Sequence, residues 1–328
     1  MPANLTADFL KARERLQAAT DAYEKLAALE EMLATIPKHK GTDKMQADIK
    51  RRIAKLRDAQ GKKGGKGHSL GHVDREGAGQ IALVGPPNAG KSRLLATLTN
   101  AHPEVADYPF STQLPIPGMM RFEDVPIQLV DLPPITTEYT EPWVYNIVRE
   151  CDLALVLLDA SQGASVTDSY AEIEMLLETR HVVLSAERYE PDEYRIKVVP
   201  CRILLHRSDI DSTATDQARA AVEHNTDVPV LVASSDSGAG LDELRSELFQ
   251  ALHIVRIYTK LPGHKADLTE PYTLPCGSTV LDAVRVVHRD FTEKLKYVRI
   301  WGSGKFDGQQ VTSDHVLEDG DIIEIHLS

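Results

Sequence analysis

The stretch IALVGPPNAGKSRLLATL, residues 81–98, constrains this chain more than any other. An apolar run leads into a glycine-bearing turn, then Lys91-Ser92, then an amphipathic run. That order is strand, phosphate loop, helix, the context in which Gly85-x-x-x-x-Gly90-Lys91-Ser92 reads as a P-loop. Gly85, Pro86, Pro87, Asn88, Ala89, Gly90, Lys91, Ser92 and Arg93 are the residues expected around the phosphates of a nucleotide. The glycines let backbone N–H groups turn inward, Lys91 spans the β- and γ-phosphates, and the Ser92 hydroxyl can ligate Mg²⁺.

From Gln80 to Leu252, short apolar strands alternate with helical patterns, as in LALVLLDA, CRILLH and VPVLVAS, with helices expected near 168–180, near 214–225 and from Leu241. Such alternation predicts an α/β domain, a mostly parallel sheet covered on both faces, with its ligand at the carboxyl ends of the strands. Residues 1–60 carry a 3-4 apolar spacing through Phe9, Leu16, Tyr23, Leu26 and Leu33, then Met45, Ile49, Ile53 and Leu56. Pro37 and Gly41 break the run, so an α-helical hairpin is expected, as packing element or as the arm for a protein partner. Residues 61–79, GKKGGKGHSLGHVDREGAG, read as a linker. Residues 253–328 change character: VRIYTK, YTLPCG, YVRIWG, QQV and IIEIHL read as strands around one helix, STVLDAVRVVHRDF, started by Ser278 or Thr279.

The net charge of −12 argues against wholesale nucleic-acid binding, but the charge is uneven. Residues 38–66 hold eleven Lys/Arg against Asp43, Asp48 and Asp58, so this segment can lie on a phosphate backbone, or equally be a solvated helix face and linker. No run approaches the ~18 apolar residues of a membrane span, and the mixed, charged N-terminus has no signal core; a cytoplasmic protein with no membrane partner is expected. Cys151, Cys201 and Cys276 lack ligand or disulfide spacing and read as inert thiols.

GPPNAGKS, then ADYPFSTQLPIPGMM, then DLPP resembles the Obg-related translation-factor GTPases, and within them the developmentally regulated GTP-binding (DRG) branch. The order of hairpin, basic linker, G domain and a C-terminal segment similar to a TGS domain, a β-grasp module, follows the same branch over nearly the whole chain. The insertions that such proteins carry within the G domain are missing. The resemblance implies GTP and GDP as ligands, and assigns Thr112 and Asp131 with Ser92 to Mg²⁺. It implies Lys91, Thr112 and Asn88 as catalytic residues, Asn88 either by holding a K⁺ ion or simply as a turn-former. It gives His206, Arg207 and Asp209 as the guanine motif with Ser234 and Ser235 as its companion loop, and it implies association with the ribosome or structured RNA through residues 38–66 and the TGS-like domain.

Two departures stand out. Pro134 occupies the place of a glycine whose N–H normally donates to the γ-phosphate, and proline has no such donor. Ile135 follows where many GTPases have a water-orienting Gln, an apolar residue being usual in this branch. His206-Arg207-Ser208-Asp209 replaces Asn/Thr-Lys-x-Asp, keeping the carboxylate that reads guanine while exchanging the amide that ties this loop to the phosphate loop. The expectation is a GTP-binding switch near the ribosome with weak Mg²⁺-dependent hydrolysis; the alternatives are a hydrolysis-deficient scaffold and an ATP-using relative.

Overall fold

The computed structural model describes residues 73–99, 114–189 and 195–327, with residues 11, 29, 32, 35 and 49–52 of the N-terminal region. Two compact units divide the chain, Met1–Ser69 and Leu70–Ser328. In the first, each described residue is helical, and Leu29, Met32 and Ile49 are buried. The break of the expected hairpin and linker residues 61–72 lie outside the described residues.

The second unit begins with a seven-stranded sheet. Its centre is β1 (Gln80–Val84), flanked in parallel by β3 (Val125–Asp131) and β4 (Leu153–Asp159). Beyond β3 lies antiparallel β2 (Ile116–Phe122); beyond β4 lies parallel β6 (Lys197–His206). The sequences QIALV and LALVLL are buried residue by residue, as strands covered on both faces require. One face carries α1 (Lys91–Leu98) and α5 (Leu241–Ala251), whose Leu94, Leu95, Leu244 and Leu248 pack with Ile81, Leu83 and Leu155. The other carries α2 (Pro142–Glu150), α3 (Val166–Glu178) and α4 (Ser212–Asn225), with Val144, Ile173 and Val222 against Val84, Val156 and Ile203.

Two elements have no counterpart in the sequence reading: α2 and β5 (Val182–Ser185), which pairs with the first half of β6. Strand β6 thereby starts four residues before CRILLH. Pro200 is tolerated within it because β5 ends there, at Ser185↔Pro200, and β4 joins only from Cys201, so no β4 ladder pair falls on the proline. The second half of β6 pairs with β7 (Val230–Ala233).

A five-stranded sheet completes the unit, in the order β11-β10-β12-β8-β9, from β8 (Ile254–Lys260), β9 (Ala266–Pro275), β10 (Leu295–Trp301), β11 (Gln309–Val311) and β12 (Asp321–Leu327). The helix α6 (Val280–Val287) packs Val280, Ala283 and Val284 on Ile257, Ile300 and Ile323. A capping box fixes its start at Thr279, whose hydroxyl accepts from the Asp282 N–H while Asp282 accepts from the Thr279 N–H. This is the expected β-grasp layout. Its junction with the G-type sheet is built on Arg256 of β8, whose guanidinium bonds Asp319 at 2.7 and 3.0 Å and also reaches Glu123 and Asp124 at the β2–β3 turn. Tyr258 donates to Asp124 at 2.5 Å, and Arg256 lies 5.1 Å from the Phe249 ring centroid.

Candidate nucleotide site

Because β1, β3, β4, β6 and β7 run parallel, their carboxyl ends meet on one edge, and register brings the sequence-predicted groups together there. Leu83 pairs with Asp131, and His206 pairs with both Asp159 and Ala233. The loop Gly85–Gly90 crosses that edge between β1 and α1. A Cβ at Gly85 would stand 2.6 Å from the Leu157 carbonyl of β4, so the close approach of loop to sheet requires glycine. Gly90 takes φ 91° and Asn88 φ 61°, a conformation Asn tolerates; the exposed Asn88 thus serves the turn whether or not it also meets an ion.

Lys91 is buried at the start of α1, and its Nζ donates to the carbonyls of Gly85 and Pro86, both at 3.0 Å. Burial lowers its pKa from 10.5 to about 8 against the raising influence of Asp131. An ammonium so placed lacks only an anion. Ser92 Oγ donates to Asp131 Oδ2 at 2.5 Å, while Asp131 Oδ1 is buried without a hydrogen-bond partner. Burial raises the Asp131 carboxyl, opposed by the Ser92 bond and Lys91. A hydroxyl and an orphaned carboxylate oxygen at the strand end fit a hard divalent cation that takes its remaining ligands from phosphate and water. Thr112 lies outside the described residues.

After Asp131 the chain does not hang free. Leu132 and Ile135 are buried, and the Ile135 N–H makes a long 3.4 Å contact with the Gly85 carbonyl. The Ile135 side chain joins the core with Val84 and Val144, so it does not face a hydrolytic water. Beyond it, Thr136 N–H donates to Thr140 Oγ1 at 3.0 Å, and Thr137 N–H to Glu172 of α3 at 2.9 Å.

The base-side loops come from β6 and β7. Arg207, at φ 61°, donates to Asp159 Oδ2 at 2.9 Å, so Asp159 at the end of β4 orients it; sequence reasoning gave Asp159 no role, although an acidic residue closing an apolar strand was the available signal. Asp209 is exposed, and the Ser234 hydroxyl holds its carboxyl below the usual range. Ser234 is fully buried and also accepts from the Asp236 and Ser237 N–H groups, at 3.1 and 3.3 Å. Arg93 joins the two halves through Asp236 at 2.6 Å. His206, grouped from sequence with the nucleotide-contacting residues, is only 1% exposed; its ring sits behind the phosphate loop and bonds Ser235.

The family model described as 50S ribosome-binding GTPase matches residues 80–188, and the TGS domain model matches residues 255–327. Along almost the full chain, 28% of positions are identical to developmentally-regulated GTP-binding protein 1 of Xenopus laevis, covering 92% of this chain and 98% of that one. The chain belongs with the developmentally regulated GTP-binding proteins. An uncharacterized GTP-binding protein of Methanocaldococcus jannaschii is 29% identical, covering 92% of each chain, and ribosome-interacting GTPase 1 of Saccharomyces cerevisiae is 26% identical, covering 92% and 98%. These DRG relatives align over 358 to 367 positions while taking in 92% of the 328 residues here, so they carry segments that this DRG chain lacks. The TGS match coincides with the β-grasp sheet, β8 to β12.

Proposed function

We propose that this chain binds guanine nucleotide in the crevice between residues 85–93, 206–209 and 234–235, hydrolyses GTP slowly with Mg²⁺, and acts as a switch at the ribosome. The observation that carries this reading is the convergence of two chemistries on one sheet edge: buried Lys91 beside the Ser92–Asp131 pair, and exposed Asp209 bonded through Ser234. Lys91 supplies positive charge to the β- and γ-phosphates. Ser92 and Asp131, the latter through water, would hold Mg²⁺, with Thr112 completing the set. The ion offsets charge on the phosphate oxygens as they develop it. Asp209 accepts from the guanine N1–H and 2-amino group, and Arg207, oriented by Asp159, lays a flat cation along the base. A K⁺ ion at Asn88 would add charge where the departing phosphate becomes anionic; comparing turnover in K⁺ and Na⁺ tests that.

Slow turnover follows from Pro134. The γ-phosphate loses a backbone donor there, and the next N–H, of Ile135, leans on Gly85 instead. Losing one hydrogen bond to a charged group costs ~1.5 to 3 kcal/mol, roughly 10- to 150-fold. The second reading, a nucleotide-binding scaffold without hydrolysis, draws on the same two residues. An ATP-using relative is disfavoured by the retained Asp209. Among the described residues no helix is long and apolar enough to cross a membrane, and we place the protein in the cytoplasm. The ribosomal role draws on the yeast relative's name and the basic segment 38–66. The domain boundaries 1–60, 61–79, 80–252 and 253–328 are proposed on the same footing. Asp209→Asn tests the base assignment: GTP affinity falls while ATP affinity stays constant, and an equal change in both refutes guanine reading.

A further inference from the structure

In this family's guanine motif an amide is expected where this chain has His206, and the geometry around that imidazole is specific. The ring is almost wholly buried at the end of β6. On one side Nε2 lies 2.8 Å from Ser235 Oγ, and the Ser235 N–H points at the same nitrogen from 3.3 Å. A nitrogen that receives a backbone N–H is unprotonated, so the ring proton sits on Nδ1. On the other side is the phosphate loop. A Cβ at Gly90 would lie 2.4 Å from His206 Nδ1 and 2.6 Å from Cε1, so the imidazole occupies the space that the missing side chain leaves free. Nδ1 is buried with no hydrogen-bond partner, next to the Ala89–Gly90 backbone. One side chain thereby touches three loops, those that would meet the phosphates, the base and the base's far edge.

We propose that His206 is a positioning residue: it contacts no nucleotide, and through Gly90 and Ser235 it fixes the distance between the phosphate loop and the two base-side loops. The proposal rests on the guanine-nucleotide reading of the crevice. A nucleotide engages both halves of the site at once, so its affinity depends on their being held at a set spacing, in the way that two linked ligands depend on the geometry between their sites. Inorganic pyrophosphate engages the phosphate loop alone and is indifferent to that spacing.

The test uses the full-length chain and its His206→Ala and His206→Asn variants, with GDP and with pyrophosphate competing against a fluorescent GDP. Wild-type binding of GDP comes first; its absence would refute the nucleotide reading itself and leave nothing for His206 to position. With wild-type binding in hand, His206→Ala weakens GDP by roughly tenfold, the size of one lost hydrogen bond and its contact, while pyrophosphate competes as before. His206→Asn, which restores an amide able to bridge to both loops, recovers most of the GDP affinity. GDP affinity of His206→Ala within about twofold of wild type overturns the proposal, as does an Asn variant no better than Ala. A parallel loss of pyrophosphate also overturns it, because that pattern marks a damaged phosphate loop rather than a lost spacing.

Discussion

Lys91 offers a test of the phosphate site that needs no nucleotide. Its ammonium is buried among carbonyls, and the pKa falls from 10.5 to about 8. A lysine whose folded pKa lies below its unfolded one binds fewer protons when folded between pH 8 and 10.5, so stability rises with pH across that window. Below pH 8 the charged form is present in both states, and the fold carries the whole cost. A shift from 10.5 to about 8 corresponds to about 3 kcal/mol at ~1.4 kcal/mol per pH unit. The neutral amine still has two protons for the Gly85 and Pro86 carbonyls, so losing the charge does not strand an acceptor. Other groups titrate in the same range, and comparison with Lys91→Met removes them. Urea unfolding of both proteins at pH 7, 8, 9 and 10, with chelator and without nucleotide, should show wild type gaining about 2 to 3 kcal/mol on the variant between pH 7 and 10. The same variant should lose nucleotide-induced stabilisation at pH 7. A stability difference flat to within about 0.5 kcal/mol, as for an exposed lysine, would refute the buried-ammonium account.

His206 works in the acid range: burial, the largest influence, lowers its pKa, so its contribution is present above the unfolded value near 6.5 and is lost as pH falls below it; the wild type should lose more stability than His206→Asn between pH 7 and 5 in chemical denaturation. Ile135→Ala empties a fully packed position and should cost about 2 to 5 kcal/mol, read from the urea midpoint; a cost under about 1 kcal/mol would mean that the segment after Asp131 is not held by the core. Arg256→Met strands Asp319, Asp124 and Glu123, and should cost about 2 kcal/mol; in differential scanning calorimetry the β-grasp sheet should begin to melt ahead of the G-type sheet, and a single unshifted transition would count against this junction.

What the sequence could reveal divides by range. The phosphate loop is local, and its strand, turn and helix follow in 18 residues, so Gly85 to Ser92 were readable in full. The β-grasp segment was readable too, because each strand alternates and Thr279 with Asp282 spells a capping box. The helix α2 left a signal that was passed over: Val144, Ile147 and Val148 recur at helical spacing behind Pro142, which sits in the first turn. Four-residue β5 carries too little pattern to separate from loop. Cross-sheet relations were out of reach: Asp159 meets Arg207, and His206 meets Gly90, only because parallel register aligns the ends of β4, β6 and β1. Burial of Ile135 belongs to the same class, since an apolar residue in a loop motif does not declare which way it points.

Equilibrium titration of the nucleotide-free, full-length chain is the most direct trial of the central claim. It would compare GDP, a non-hydrolysable GTP analogue and the matching adenine pair, in Mg²⁺ with K⁺ or Na⁺. The account predicts binding of both guanine nucleotides, with distinct affinities, and at least tenfold weaker binding of the adenine pair, since unpaired Asp209 acceptors penalise the wrong base. Equal affinity for guanine and adenine nucleotides, or no binding at all, would contradict it.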